Sequence, residues 1–153
     1  MNLIERLYEE HKGIDIKLEK LAELSESFNS DNIESIRKLF EELQKDIKAH
    51  LKEEEELLFP ELIKKMGTSA TSLQLILKEH EEIKHLLSEI EKIVNNGNIS
   101  QIYSAVHSLT SKLEDHLRKE NNLLYSIAHE FIDAETLKEK NKLAVQIRQS
   151  MGL

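Results

Sequence analysis

His50-Leu-Lys-Glu-Glu54-Glu-Glu-Leu-Leu-Phe59 is the stretch of sequence that decides the fold, and the chain repeats its pattern as His116-Leu-Arg-Lys-Glu120-Asn-Asn-Leu-Leu-Tyr125. In both copies a histidine precedes a glutamate by four residues. On an α-helix this spacing places the two side chains on the same face, one turn apart. Each copy therefore directs an imidazole and a carboxylate toward a common point, and this combination predicts a metal ion there.

The composition predicts an all-α protein. The 153 residues include four glycines, one proline and few aromatic residues. Long stretches rich in Leu, Ile, Lys and Glu alternate with short Asn, Ser and Gly clusters, and no segment has the alternating period of a strand. This pattern is typical of an up-down-up-down four-helix bundle. We expect one domain over residues 1–153, with the bundle at about 3–129 and an extra C-terminal helix at about 133–149 that packs outside it.

The charge and the absence of cysteine narrow the possible functions. The formal net charge of -8 argues against a nucleic-acid partner, which requires a surplus of Lys and Arg on one face. The absence of cysteine excludes disulfides, thiolate nucleophiles and cysteine-ligated metal clusters, but it leaves histidine and carboxylate ligation open. Met1 is followed directly by an amphipathic pattern without a long apolar run. We therefore expect a cytoplasmic protein without a membrane partner.

Six polar residues occupy positions at which the helical pattern calls for apolar ones. Four segments carry apolar residues at steps of three and four, as in the series Ile36, Phe40, Leu43, Ile47. In each segment the steps continue through one or two polar residues without a change of period. These polar residues are the candidate metal ligands His11, His50, Glu54, His80, His116 and Glu120.

The turns between the segments predict that the four histidines share one level of the bundle. Two residues at the same height on antiparallel neighbours lie symmetrically about the turn between them. The midpoints between consecutive histidines of the set all lie in or beside sequence that favours turns. These sequences are Asn29-Ser30-Asp31-Asn32, Met66-Gly67-Thr68 and Asn95-Asn96-Gly97-Asn98.

The two halves of the chain match each other, which predicts a site with two-fold symmetry. Glu10-His11 in the first segment corresponds to Glu79-His80 in the third. Within the acidic run that follows His50, Glu54 corresponds to Glu120. The remaining acids of this run are therefore expected to be solvated, and they are Glu53, Glu55 and Glu56.

A dinuclear metal site would explain two carboxylates in an apolar core. An ionised carboxylate buried without a cation or hydrogen-bond donors costs several kcal/mol, and two close together also repel each other. Carboxylates that bridge two cations, each capped by neutral imidazoles, remove both costs. Imidazole and carboxylate accept iron, manganese and zinc alike. The alternatives are four separately hydrogen-bonded core histidines and two partly exposed glutamates.

Residues near the apolar stripes are expected to have supporting roles. Tyr8 could donate a hydrogen bond to the site, and Asp15 is expected to lie behind it or at the surface. His85, His107 and His129 are expected at the surface, with the rim of the site as the alternative for His85. Residues one turn from the candidate ligands would surround the site with hydrocarbon, and they are Ile14, Ile47, Leu57, Ile83, Leu113 and Leu123.

As a set, these residues resemble the hemerythrin-like proteins with the HHE cation-binding domain. The resemblance covers roughly residues 3–127, and it is carried by Glu10-His11, His50-x-x-x-Glu54 followed by Leu58-Phe59-Pro60, Glu79-His80, and His116-x-x-x-Glu120. It implies a four-helix bundle with a non-haem di-iron centre. The two iron ions would be ligated by the six candidate residues and bridged by carboxylate and by an oxo or hydroxo group.

Two departures separate this chain from the oxygen-carrying hemerythrins. Lys84 stands where those proteins have a second histidine in the third helix. The last carboxylate is Glu120, whereas those proteins have an aspartate at the position of Asn121. The set of four histidines and two glutamates is more similar to the iron–sulfur-cluster repair and iron-sensing branches, which argues against simple oxygen carriage.

The resemblance implies a protein that binds or senses oxygen, nitric oxide or a peroxide, or that handles iron. The first alternative is a di-iron enzyme that reduces peroxide or nitric oxide, or supports iron–sulfur cluster repair, with an unidentified electron-donor protein as a candidate partner. The second alternative is a helical interaction module with a vestigial or zinc-loaded site. The sequence leaves the choice among them open.

Overall fold

The computed structural model describes residues 1–67 and 71–153, and no strand occurs within these ranges. The helices are α1 (Leu3–Glu26), α2 (Ile33–Glu53), α3 (Phe59–Met66), α4 (Thr71–Asn96), α5 (Ile102–Lys119), α6 (Tyr125–Phe131) and α7 (Ala134–Ser150). A short 3-10 helix, Ile99–Gln101, precedes α5. The predicted all-α class is confirmed.

The four long helices α1, α2, α4 and α5 form the predicted bundle. Helix α1 packs against α2 and α5, and α4 packs against the same two helices, so the four form a closed ring. Helices α3 and α6 follow α2 and α5 along the chain and contact each other. The C-terminal helix α7 lies outside the ring against α1 and α2, as the sequence predicts.

Local sequence signals set the helix ends. The Asn2 side chain accepts a hydrogen bond from the backbone N–H of Glu5 at 3.0 Å, and the Glu5 carboxylate accepts one from the backbone N–H of Asn2 at 2.9 Å. This reciprocal cap satisfies donors that the first turn of α1 leaves free. Gly67 ends α3 and Gly97 follows α4 with φ angles of 83° and 73°, a region that glycine enters without steric cost. Thr68 of the predicted second turn lies outside the described residues.

Both copies of the repeated pattern contain one turn of π-helix, at Glu54–Leu58 and at Glu120–Leu124. In each turn a backbone N–H donates to the carbonyl five residues earlier, from Phe59 to Glu54 and from Tyr125 to Glu120. The wider turn rotates the residues that follow, and such turns are frequent at functional sites.

The prediction that Leu123 lies in the hydrocarbon around the site is wrong. Leu123 is 47% exposed, whereas the next two residues, Leu124 and Tyr125, are buried. The corresponding Leu57 lies in the first π-turn, against which α7 packs, and it is buried, so the fate of this position depends on tertiary packing and not on the helical period. The other expected hydrocarbon neighbours of the site are buried as predicted, and they are Ile14, Ile47, Leu57, Ile83 and Leu113.

Two apolar clusters fill the core, one on each side of the level of the histidines. One cluster contains residues such as Ile14 and Ile47, and the other contains residues such as Leu7 and Leu58. The six candidate ligands lie between these clusters and are each at most 2% exposed. The bundle therefore holds a polar layer within an apolar core.

Candidate metal centre

The structure brings the six predicted residues together in two groups that share both glutamates. One group consists of His11, His50, Glu54 and Glu120, and is named here the His11–His50 position. The other consists of His80, His116 and the same two glutamates, and is named the His80–His116 position. Within each group, one donor atom from every residue lies within 4.8 Å of the others.

The two shared carboxylates extend across both positions. The Oε1 atom of Glu120 lies 3.1 Å and 3.4 Å from the Nε2 atoms of the first histidine pair, and its Oε2 atom lies 3.1 Å and 3.5 Å from those of the second pair. The Oε1 atom of Glu54 lies 3.4 Å from His50 Nε2 and 3.2 Å from His80 Nε2. Each carboxylate therefore contacts imidazoles of both positions, as a bridging ligand must.

Two of the four imidazoles are oriented by a glutamate from a neighbouring helix. The outer ring nitrogen of His50, Nδ1, donates to Glu10 at 2.9 Å. The Nδ1 atom of His116 donates to Glu79 at the same distance, 2.9 Å. Glu10 and Glu79 are the residues that precede His11 and His80, so the doublet Glu-His supplies an inner imidazole and an outer carboxylate.

The other two imidazoles are oriented by the residue that follows each shared glutamate. His80 Nδ1 donates to Glu55 at 2.9 Å, and His11 Nδ1 donates to the Asn121 side-chain oxygen at 2.8 Å. A neutral imidazole that donates through Nδ1 carries its lone pair on Nε2. In this neutral form all four Nε2 lone pairs face the centre of the site, which is the orientation that metal-binding histidines adopt.

Four buried donor atoms at the centre have no hydrogen-bond partner within the described part of the chain. They are Glu54 Oε1, His80 Nε2, His116 Nε2 and Glu120 Oε2. Buried polar atoms of this kind require an explanation, because nearly all others in folded proteins are paired. Nε2 atoms of neutral imidazoles and carboxylate oxygens that face one another have no hydrogen to share, but together they are a suitable donor set for divalent and trivalent metal ions. The residues present therefore fit a pair of bridged metal ions.

The electrostatics of the metal-free molecule also favour a cation. Burial raises the pKa of Glu54, and the neighbouring charge of Glu120 raises it further. Burial acts in the same direction on Glu120, but the imidazoles that face it, His11 first, hold its pKa well below the usual range. Burial lowers the pKa of His50, yet the Glu54 charge and hydrogen bonds to carboxylates raise it well above its ordinary value. Without metal, protons must balance the carboxylates, so metal binding releases protons.

Two of the acids that were predicted to be solvated instead support the site. Glu55 receives the hydrogen bond from His80 described above, and Glu53 is fully buried. Glu53 accepts a hydrogen bond at 2.7 Å from Arg148, and Arg148 also donates to Glu10 at 2.9 Å. Burial and the nearby Glu10 raise the pKa of Glu53 to about 8. Glu56 is exposed, as predicted.

The prediction for Glu53 and Glu55 was wrong because it considered only the inward face of one helix. A glutamate side chain beside that face is long enough to reach an imidazole or a guanidinium on a neighbouring helix. The charged Arg148 belongs to α7, for which the sequence indicated no part in the site. Packing of α7 on the bundle therefore adds a cation behind the imidazole of His50.

Tyr125 is a site residue that the sequence reasoning missed. Its hydroxyl donates to Glu54 Oε2 at 2.9 Å, and the same oxygen lies 2.8 Å from His11 Nε2. Tyr8, which the sequence offered as a possible hydrogen-bond donor to the site, is 46% exposed. The repeat in the sequence could have drawn attention to Tyr125, because it aligns this residue with Phe59 of the first copy.

The remaining predictions for polar residues are confirmed by burial. His85, His107 and His129 are exposed, and so is Asp15. Lys84, which stands where oxygen-carrying hemerythrins have a histidine, donates to Glu55 at 3.1 Å. It therefore contributes to the outer layer of the site and supplies no imidazole.

A surface cavity of about 290 Å³ reaches the outer side of the His11–His50 position. Its wall includes Ile4, Tyr8, Ser126 and His129. The two residues that hydrogen-bond to His11 from outside the ligand set, Asn121 and Tyr125, also form part of this wall. A small molecule in the cavity would therefore contact the residues that orient one of the candidate ligands.

Comparison with known proteins connects this geometry to a family. The family model for the hemerythrin HHE cation binding domain matches residues 2–128, which include all six candidate ligands.

Within the described part of the chain, no helix combines the length and the apolar character needed to cross a membrane.

Individual relatives share the chain over different lengths. The iron-sulfur cluster repair protein DnrN of Neisseria gonorrhoeae is 22% identical over 135 residues, which are 82% of this chain and 86% of DnrN. A DNA nickase of Nostoc sp. is 26% identical over 135 residues, or 88% of this chain and 36% of the nickase. The iron-sulfur cluster repair protein YtfE of Escherichia coli is 29% identical over 92 residues, or 54% of this chain and 42% of YtfE. The matched region is less than half of the nickase and less than half of YtfE. The family model, in contrast, covers nearly the whole of this chain. The chain therefore belongs to the hemerythrin HHE cation-binding domain family.

Proposed function

We propose that this protein binds two iron ions, one at each of the two positions, and that this di-iron centre binds or senses a small ligand such as oxygen, nitric oxide or a peroxide, or handles iron. His11, His50, His80 and His116 are the proposed terminal ligands, and Glu54 and Glu120 are the proposed bridges. The observation that carries the proposal is the sharing of two buried carboxylates between two pairs of imidazoles whose lone pairs face inward.

The choice of iron is supported by the family and by the relatives that are named iron-sulfur cluster repair proteins. The donor set alone also suits manganese and zinc. When bound, a pair of iron ions supplies redox and Lewis-acid chemistry. The chain supplies the orientation of the imidazoles, the carboxylate bridges and an apolar surrounding that limits the access of water.

Room for a small ligand follows from the small number of imidazoles. Each position offers two histidines and two shared carboxylates, and Lys84 donates to Glu55 in place of a fifth imidazole. Iron commonly accepts more than four ligands, so each ion retains positions that a small molecule can occupy.

We expect this protein to be cytoplasmic, and its negative charge argues against a nucleic-acid partner.

The second candidate function is a di-iron enzyme that reduces peroxide or nitric oxide, or that supports iron–sulfur cluster repair with an electron-donor protein. The similarity to DnrN favours it, because the match extends over 82% of this chain and 86% of DnrN. Turnover of peroxide or nitric oxide by the reduced protein would support the enzyme, whereas a stable adduct without turnover would support the binding protein.

Metal analysis of the purified protein together with its absorption spectrum tests the proposal. We expect about two iron ions per chain, and Glu54→Ala should lose them because it removes a shared ligand. Glu56→Ala is the matched control, since Glu56 lies in the same acidic run but is exposed. Substoichiometric metal that Glu54→Ala does not change would reject the di-iron centre. Tightly bound zinc without bound iron would favour the helical interaction module.

A further inference from the structure

The hydroxyl of Tyr125 distinguishes the two metal positions. Tyr125 is 3% exposed, and its ring stacks on His11 with the ring centroids 5.2 Å apart. Phe59 occupies the corresponding place in the other half, with its ring centroid 5.4 Å from that of His80. The two halves therefore match in shape beside these histidines and differ by one oxygen atom.

The single hydrogen of the phenol cannot satisfy both of its close neighbours when His11 is in the neutral form that binds a metal ion. In that form Nδ1 carries the hydrogen, which faces Asn121, and Nε2 is an acceptor. The carboxylate of Glu54 is also an acceptor. The Tyr125 oxygen lies 2.8 Å from the first and 2.9 Å from the second, so one of these two contacts contains no hydrogen.

Three electron-donating atoms this close together are typical of a metal site. Donors that lie about 2.1 Å from one ion, at right angles to each other, are about 3 Å apart. The Nε2 atoms of His11 and His50, two proposed ligands of the same ion, are 3.0 Å apart. The distances from the Tyr125 oxygen to its two neighbours, 2.8 Å and 2.9 Å, are of the same size. Its placement is therefore that of one more member of this donor set.

We propose that Tyr125 is a fifth protein ligand at the His11–His50 position, where its oxygen binds the metal ion as a phenolate. This inference rests on the proposed function, since it requires a metal ion at that position. The phenol releases its proton to solvent as the ion binds, because a nearby cation favours the charged oxygen. Phenolate is an established protein ligand of iron.

The assignment makes the two iron ions chemically different. The His11–His50 ion has five protein ligands, whereas the His80–His116 ion has four because Phe59 offers no donor atom. The His80–His116 ion therefore retains the additional position, and the small ligand of the proposed function binds there.

Absorption and resonance Raman spectra of the protein loaded with iron(III) test the assignment. A phenolate ligand produces a phenolate-to-iron charge-transfer band in the visible range, with phenolate vibrations enhanced at that wavelength. Tyr125→Phe should lose the band and keep about two iron ions per chain, because the other ligands are unchanged. The double variant Tyr8→Phe, Tyr103→Phe leaves Tyr125 as the remaining tyrosine of the chain and should retain the band in full.

The outcomes separate this inference from the proposed function. Two bound iron ions without a phenolate band, or with a band that the double variant loses, would overturn the assignment of Tyr125 and leave the di-iron proposal standing. A chain that binds no iron would overturn both. If Tyr125→Phe fails to fold, the double variant and the unmodified protein still decide the question. Phe59→Tyr should add phenolate intensity, because it places a second phenol beside His80.

Discussion

The His11–His50 position and the His80–His116 position share one plan and differ in the residues behind the imidazoles. In both, one histidine donates to the glutamate of a Glu-His doublet, Glu10 or Glu79. The other histidine donates to the residue after a shared glutamate, which is Asn121 for one position and Glu55 for the other. A duplicated pattern therefore sets the geometry of both positions, and single residues around it make them unequal.

The difference between Glu55 and Asn121 has a chemical consequence. A carboxylate that accepts the Nδ1 hydrogen makes an imidazole a stronger metal ligand than a neutral amide does. His80 should therefore bind metal more strongly than His11, while Tyr125 is placed to add an oxygen ligand only beside His11. The cations behind the two positions also differ, since Arg148 contacts Glu10 and Lys119 contacts Glu79 at 2.6 Å.

The largest effect is expected from a change that removes the element common to both positions. Glu120→Ala deletes the carboxylate that faces all four histidines, so both metal ions should be lost. Metal content after dialysis measures the effect, and Asn122→Ala, an exposed neighbour in the same π-turn, is the control. Retention of metal at full stoichiometry would show that the carboxylate is not a bridge.

Removal of one histidine from each position should separate them. His50→Ala and His116→Ala each delete an imidazole of one position, so each variant should retain about one ion per chain. The two variants should also differ in spectrum, because the remaining ion has different ligands. If either variant loses both ions, the two positions are cooperative and cannot be treated as independent sites.

The cations behind the two positions should contribute unequally to stability. Arg148 is 18% exposed and pairs with the carboxylate of Glu10, whereas Lys119, which pairs with Glu79, is 39% exposed. Loss of one partner of a buried pair is strongly destabilising, but partial exposure reduces the effect. Arg148→Ala should lower the free energy of unfolding by about 2 kcal/mol and Lys119→Ala by less than about 1 kcal/mol. Denaturant unfolding of both variants measures this difference, and equal effects would contradict it.

The chemical difference between the outer partners can be removed by one substitution. Glu55→Asn gives His80 an amide partner like that of His11 and should weaken metal binding at the His80–His116 position about tenfold. Competition with a chelator of known affinity measures the change, and Glu81→Gln is an exposed control. An unchanged affinity would mean that the charge of Glu55 matters mainly for its ion pair with Lys84.

The smallest effect concerns the metal-free protein. Glu54→Gln removes a buried charge whose pKa is raised by burial and by Glu120, so it should increase the free energy of unfolding by about 1 kcal/mol when metal is absent. Added metal should stabilise this variant less than the unmodified protein, since metal binding contributes to the stability of the folded state. Chemical denaturation with and without metal measures both effects. A metal-free variant that is less stable than the unmodified protein would contradict the expectation.

The bundle and the meeting of six polar side chains could be predicted because both depend on local periodicity. Helical steps of three and four define the inward face of each helix. Equal rise per residue in antiparallel neighbours then relates the heights of His11, His50, His80 and His116 to the turns between them. The two glutamates follow from the same rule, because each lies one turn after a histidine.

The π-turns and the outer layer were decided by tertiary structure. A π-turn breaks the period that the prediction assumes, and the second one places Tyr125 at the site. Leu57 and Leu123 occupy the same place in the two π-turns, yet the first is buried and the second is 47% exposed. Glu53 and Glu55 lie beside the inward face, so their roles depend on which side chains the neighbouring helices bring within reach.

The sequence by itself therefore determined the helical bundle, its family and the six inward-facing candidate ligands, since these follow from spacing along single helices and from the repeat of one pattern. Only the tertiary structure decided which residues stand behind each imidazole and how the two positions differ. The physical reason is that hydrogen bonds such as those of Arg148 and Tyr125 join residues far apart in the chain, and their formation depends on how separate helices pack.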